Sequence, residues 1–153
     1  MAEKKFLCKI LTPSKSMFEG EVQSIVVPAY DGEMGILKSH CNLVANLGCG
    51  ECRIEKKDEK ISFYLEGGVV KVVDTFLGEN TSTEVVILTN LSYPMDYILS
   101  HKEKWAQDLE AAEKMEITDD ESFEKRSWAV RAAKAKLELA QKVEKQHLKD
   151  KVE

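Results

Sequence analysis

Apolar and polar residues alternate along roughly the first ninety positions. Phe6, Cys8 and Ile10 alternate with more polar neighbours, as do Ile61, Phe63 and Leu65, and then Val85 and Ile87. A period of two marks half-buried strands. The runs are separated by Asp31-Gly32, Gly48 and Gly50, "KKDEK" at 56–60, Gly67-Gly68 and "GENTST" at 78–83, each a turn signal. No long amphipathic helix fits before residue 90. Short β-rich runs broken by Gly and Asp predict an antiparallel β-sandwich over residues 1–90. Val22, Val26 and Ile36 are expected in its core. Gly32 and Gly35 are expected at turns of positive φ, and Gly67-Gly68 at a reversal or a close backbone approach.

The period changes after "TNLSYPMD", where Ser92, Pro94 and Asp96 supply helix-start signals. From there on glycine disappears and Ala, Glu, Lys and Leu dominate. Thr118 followed by Glu121 reads as a capping box opening a second helix. The expectation for 91–153 is a C-terminal α-helical hairpin, with helices over about 95–115 and 119–149, so the fold class is α+β. At 100° per residue, Phe123, Val130, Ala133, Leu137, Ala140 and Leu148 share one side of the second helix. Trp128, Ala132, Ala135, Leu139 and Val143 fall nearly opposite, and a hairpin needs only one stripe per helix, so the other needs a further surface. Arg131, Lys134, Lys142, Lys145 and Lys149 lie in one arc between the stripes, diluted by Glu124 and Glu138. That arc is either a solvated face or a strip that docks on an acidic partner.

A formal net charge of −5 argues against nucleic acid as a partner. The apolar runs, such as Ile25–Pro28, fall far short of a bilayer span, and "MAEKKFLCKI" has no apolar leader region. An intracellular chain with reduced cysteines is therefore expected. Cys49 and Cys52 have CxxC spacing, with His40-Cys41 just upstream, which raises a thiol-redox or zinc-binding protein as the alternative reading. A redox CxxC works at a helix N-terminus, where the dipole lowers the thiol pKa; here an alternating run, "ECRIEKKDEK", follows instead. In that run Cys52 and Ile54 point one way, Glu51 and Arg53 the other. Adjacent side chains on extended backbone diverge, which disfavours a tetrahedral site using both His40 and Cys41. There is no GxxxxGK[ST] loop, GxSxG elbow or HExxH helix, so neither catalysis nor a cofactor or metal is expected.

"MFEGEVQSIVVP", "DGEMGILKSH" and "LEGGVVKV", in that order and spacing, resemble the epsilon subunit of bacterial F-type ATP synthases. The matching positions include Phe18, Gly20, Gly32, Glu33, Gly35, His40, Arg53, Gly67 and Gly68. The resemblance implies a β-sandwich followed by a helical hairpin, and a non-catalytic rotor subunit of the central stalk. It implies as partners the gamma subunit, the ring of c subunits and the alpha/beta head of F1. It implies that the chain couples proton translocation to ATP synthesis, and that the hairpin inhibits ATP hydrolysis when it extends toward the head. The membrane is then met only through the complex, on the cytoplasmic face of the bacterial plasma membrane. Asp31, Glu33 and His40 would fall at the gamma and c-ring contact, and Arg131, Lys134, Lys142 and Lys145 would face the beta subunit.

Several positions depart from the family pattern. Pro-Gly before the histidine and Ala-Pro after it become Lys38-Ser39 and Cys41-Asn42, which predicts a less rigid loop. Lys71 replaces a frequent acidic residue, and the loop at 74–84 looks slightly long. Cys52 takes the place of a core aliphatic, and Cys49 that of the proline in a Pro-Gly turn. The family's ATP-binding element, I/L-D-x-x-R-A, matches Met95–Ser100, which keeps Asp96 but lacks the arginine and alanine. Without that guanidinium, weak or absent ATP binding is expected.

Overall fold

The computed structural model describes residues 4–152. The chain divides between Ser92 and Tyr93 into two compact units. The first is a sandwich of two five-stranded sheets. One sheet contains β1 (Phe6–Leu11), β2 (Ser16–Val22), β5 (Leu43–Asn46), β8 (Val69–Leu77) and β9 (Asn80–Leu88), in the order β2-β1-β9-β8-β5. The other contains β3 (Ser24–Ala29), β4 (Gly32–Leu37), β6 (Cys49–Glu55), β7 (Lys60–Glu66) and β10 (Leu91–Pro94), in the order β10-β7-β6-β3-β4.

Alternation decides which residues fill the space between the sheets. Phe6, Cys8, Ile10, Val70, Val72, Val85 and Ile87 come from the first sheet, and Ile25, Val27, Ile36, Cys52, Ile54 and Leu65 from the second; all are buried. Each large aliphatic side chain taken fully from water contributes roughly 1.5–3 kcal/mol. Val26, expected in this core, is only half-buried. It lies opposite Gly35 and Arg53, while Ile25 pairs with Ile36 and Ile54, so the register gives the core phase to Ile25 and Val27. Three successive β-branched residues left that phase open.

The β1–β9 pairing is not antiparallel. β1 runs parallel to β9, from Leu7↔Glu84 to Leu11↔Leu88. The chain crosses the other sheet between these two strands, so no hairpin dictates their mutual direction. The expected long loop at 74–84 is strand instead. β8 and β9 pair through Asp74↔Thr83, Thr75↔Ser82 and Phe76↔Thr81, and close around Gly78-Glu79. Gly67 and Gly68 carry the chain from one sheet to the other, so they serve close approach and not a hairpin reversal. Of the two glycines expected at positive φ, Gly32 has it and Gly35 does not, because Gly35 is an ordinary strand position in β4.

The second unit holds α1 (Met95–Ser100), α2 (Lys102–Glu113) and α3 (Asp120–Val152). The first expected helix is broken at His101, with φ −112° and ψ 24°. Side chains take the carbonyls that a continuous helix would use. His101 Nδ1–H donates to Tyr97 O at 2.9 Å, and Trp105 Nε1–H donates to Ile98 O at 2.8 Å. α3 opens one residue later than expected, since Asp119 and Ser122 form the reciprocal cap. Ser122 N–H donates to Asp119 Oδ1 at 2.7 Å, and Asp119 N–H to Ser122 Oγ at 3.0 Å. Glu121, expected in that role, pairs with Lys125 at 2.6 Å.

α3 runs antiparallel to α1 and α2, and three ties mark the register. Arg126 donates to Glu113 O at 3.1 Å, Lys136 Nζ lies 4.6 Å from the Trp105 ring centre, and Lys102 pairs with Glu144. Both apolar stripes of α3 contribute buried residues, Ala133 and Ala140 from one, Ala132 and Leu139 from the other. Phe123 and Leu148, assigned to the first stripe, are exposed.

Candidate functional site

Asp31 and Glu33 stand at the β3–β4 turn, where Gly32 takes φ +139°. Both acids are exposed. With Ala29, Tyr30, Met34, Ala45 and Asn46 they line a shallow concavity of about 510 Å³. Glu33 is held from below by Arg53 of β6, whose guanidinium donates to both carboxylate oxygens at 2.8 and 2.9 Å. The Glu33 carboxylate in turn holds the Arg53 guanidinium above its usual range. Such an exposed pair contributes at most about 1 kcal/mol, but its fork geometry fixes where Glu33 points. Arg53 is one of the matched positions to which the sequence assigned no role; its outward phase between Cys52 and Ile54, directly opposite Val26, was the available signal.

His40 is not part of that group. β4 separates them, and Glu33 and Leu37 near its two ends lie about 13 Å apart at roughly 3.3 Å per residue. His40 sits in the crossing between β4 and β5, half-buried, with Nδ1–H donating to Cys41 O at 2.8 Å. Ser39 adopts φ +65°, the left-handed conformation that glycine takes most readily. Far from being loose, the crossing is tied to the β8–β9 ribbon. Ser39 N–H donates to Thr83 Oγ1 at 2.9 Å, Thr83 Oγ1–H donates to Asp74 Oδ1 at 2.6 Å, and Asp74 N–H donates to Asn42 Oδ1 at 2.6 Å. Thr81 and Ser39 share a further hydroxyl contact at 3.1 Å.

The CxxC pair does not converge. Cys49 is the first residue of β6, paired with Glu66, and not part of a turn. Cys52 lies on the opposite phase, fully buried. Burial pushes the Cys8 thiol up to about 12 and raises that of Cys52 still further. Both therefore pack as small hydrophobes and not as nucleophiles. Among the described residues no three His, Cys, Asp or Glu side chains form a group able to hold a metal ion.

On α3, Lys134, Lys142 and Lys145 are exposed and Arg131 is half-buried. Lys142, Lys145 and Lys149 share one surface with Gln141 and Gln146, and with Glu138 and Asp150 of opposite charge. Lys136, outside that arc, is the helix's buried cation; its ammonium faces Trp105, a cation–π contact that the basic-arc reading passed over. Asp96 is exposed in the first turn of α1. The positions where the ATP element has arginine and alanine hold Leu99 and Ser100, and Ser100 Oγ–H donates to Tyr97 O at 3.1 Å. No described helix is long and apolar enough to cross a membrane.

Comparison with known proteins covers both units. The family model for the ATP synthase Delta/Epsilon chain beta-sandwich domain matches residues 5–77. An ATP synthase epsilon chain of Leptospira borgpetersenii is 40% identical over 70 residues, 46% of this chain and 55% of that one. The chain thus spans little more than half the length of such curated relatives. The chloroplastic ATP synthase epsilon chain of Tetradesmus obliquus is 30% identical over 141 residues, 89% of this chain and 94% of its own. Among solved structures, a chain of the Euglena gracilis mitochondrial ATP synthase OSCP/F1/c-ring assembly shares the fold. It has a TM-score of 0.70 and 23% identity, covering 86% of this chain and 79% of that one. With a relative of this identity aligned from sandwich to helices, the chain belongs to the ATP synthase epsilon chain family.

Proposed function

We propose that this chain is the non-catalytic epsilon subunit of the central stalk of a bacterial F1Fo ATP synthase. Its sandwich binds the gamma subunit and the c-subunit ring, and so helps couple proton translocation to ATP synthesis. Its helices regulate ATP hydrolysis at the alpha/beta head. The observation that carries this reading is the alignment of sandwich and helices together, over 141 residues, with one ATP synthase epsilon chain. The exposed Asp31, the braced Glu33 and the tied His40 loop are suited to rotor contacts, at two separate ends of β4. Arg131, Lys134, Lys142 and Lys145 offer a cationic strip to an acidic partner, with attraction that weakens as salt rises. The complex would lie at the cytoplasmic face of the plasma membrane, and ATP would bind weakly or not at all around Asp96.

The test is reconstitution with gamma and with an F1 complex lacking epsilon. The full chain should bind gamma and lower ATPase activity. A chain ending at Ser92 should keep gamma binding and lose the inhibition. Absence of gamma binding by the full chain would overturn the proposal. Equal ATPase rates with both chains would remove the regulatory half of it.

A further inference from the structure

We infer that Thr83, acting with Asp74 and Asn42, is a positioning residue for docking of the His40 loop on the gamma subunit. The inference rests on the reading of that loop as a gamma or c-ring contact, and names what holds it in shape. The loop has lost the rigidifying family residues, with Lys38-Ser39 and Cys41-Asn42 in place of Pro-Gly and Ala-Pro. It nevertheless keeps a left-handed residue, Ser39 at φ +65°, which a β-carbon makes unfavourable by itself. A strained residue persists only where its surroundings over-determine it.

Thr83 supplies that constraint. Its side chain is buried, at 3% exposure, and its hydroxyl is used twice: it accepts from Ser39 N–H and donates to Asp74 across the β8–β9 ladder. Asp74 in turn donates its own N–H to Asn42, at the far end of the same loop. Both ends of the His40 crossing are thereby pinned to one paired ribbon. That ribbon extends past the last residues paired with β5, since Leu43↔Val72 ends that pairing while β8 continues to Leu77. The extension that looked like surplus loop is the brace. Two exposed apolar side chains flank the braced segment, Leu37 just before it at 62% exposure and Phe76 on the ribbon at 74%. A loop fixed between exposed apolar residues docks without the ordering cost a mobile one bears.

The experiment compares gamma binding and amide hydrogen exchange for the full-length wild-type chain, Thr83→Val, Thr83→Ser and Asn42→Ala. Valine keeps the volume of threonine and removes both hydrogen bonds, so Ser39 exchange should rise and gamma affinity fall about 10-fold or more. Thr83→Ser should restore both, since it keeps the hydroxyl. Asn42→Ala, at an exposed position, should weaken binding by a smaller factor with the sandwich still folded. Wild-type affinity in Thr83→Val and Asn42→Ala, or failure of Thr83→Ser to recover what Thr83→Val loses, would overturn the inference. Failure of the wild-type chain to bind gamma would instead sink the functional reading on which it depends.

Discussion

Gly68→Ala tests the close backbone approach between the sheets. A β-carbon built at Gly68 would stand 1.9 Å from Leu88 O, 2.8 Å from Thr89 Cα and 2.9 Å from Leu88 C. Even a close C···O contact is about 3.3 Å, so backbone at Leu88 must retreat by more than an ångström. That backbone is pinned. Thr89 N–H donates to Leu11 O at 3.0 Å, Thr89 Oγ1–H donates to Gly67 O at 2.8 Å, and Leu47 N–H donates to Gly68 O at 2.9 Å. Gly68 also has φ +103°, where a side chain costs about 1–2 kcal/mol by itself. Adding one or two lost hydrogen bonds at about 1 kcal/mol each gives a destabilisation of about 2–4 kcal/mol. Against a total of roughly 5–15 kcal/mol for a domain, that is a large fraction. Tryptophan fluorescence is the wrong probe, because both tryptophans, Trp105 and Trp128, belong to the helical unit. Urea unfolding should be followed by NMR signals of β8 and β9 amides. Gly35→Ala is the control: an added β-carbon there meets nothing within 4 Å, and its cost should stay below about 1 kcal/mol. A Gly68→Ala loss no larger than the control's would refute the reasoning.

Two further outcomes follow from the cysteines and from the α3 cap. Cys52→Val should change stability by less than about 1.5 kcal/mol, whereas Cys52→Ser, which buries a hydroxyl in the core, should cost about 1–3 kcal/mol; a drop in bound metal with Cys52→Val, measured by elemental analysis, would revive the zinc reading. In the native chain a thiol reagent should modify exposed Cys41 and spare Cys8 and Cys52 until urea is added. The Ser122 amide and hydroxyl hold the Asp119 carboxyl below its usual range. Its folded pKa is depressed, so the cap's contribution is complete above the unfolded value of about 3.9 and fades as pH falls through the lower folded value. Carboxyl-carbon NMR titration should show this midpoint below about 3.9, with α3 N-terminal amides losing protection only at still more acid pH; an unshifted midpoint would remove the cap from the account.

Alternation made the sandwich legible because the two inner faces impose it on nearly every strand, as Cys8, Ile10, Cys52 and Ile54 show. It failed where local signals were degenerate. Val26 sits among β-branched residues of equal apolarity, and only the pairing of Ile25 with Ile36 and Ile54 settles the phase. The β8–β9 extension is rich in Thr, Ser and Asn, which read as loop until a partner strand supplies their hydrogen bonds. The break at His101 contains no proline or glycine; it depends on a tryptophan four residues later reaching back to Ile98 O. The site was less legible than the fold. Motif order brought Glu33 and His40 together in sequence, while the length of β4 parts them in space. Lys136 was invisible as a buried cation because its partner, Trp105, lies on another helix.

The two units differ in what holds them. The sandwich removes from water a dense set of Ile, Val and Leu side chains, many at 0% exposure. The helical unit buries Trp105 and Ile98, but along the whole of α3 its buried residues are three alanines, one leucine and one lysine. An alanine methyl yields far less transfer free energy than an isoleucine side chain, roughly 0.8 kcal/mol per CH₂-sized group. Much of the specific attachment between α3 and the helices before it therefore falls to polar ties: Arg126 to Glu113 O, Lys102 to Glu144, and Lys136 over Trp105. Exposed ion pairs add about 0–1 kcal/mol each and weaken with salt, whereas the Lys136–Trp105 contact is desolvated and contributes more. The sequence thus pairs a sandwich core of large aliphatic side chains with helices whose mutual contacts rest mostly on small ones. Elements of low local stability are the ones from which moving parts are drawn. The regulatory role proposed for the helices and the docking role proposed for the sandwich match this difference in how the two units are held.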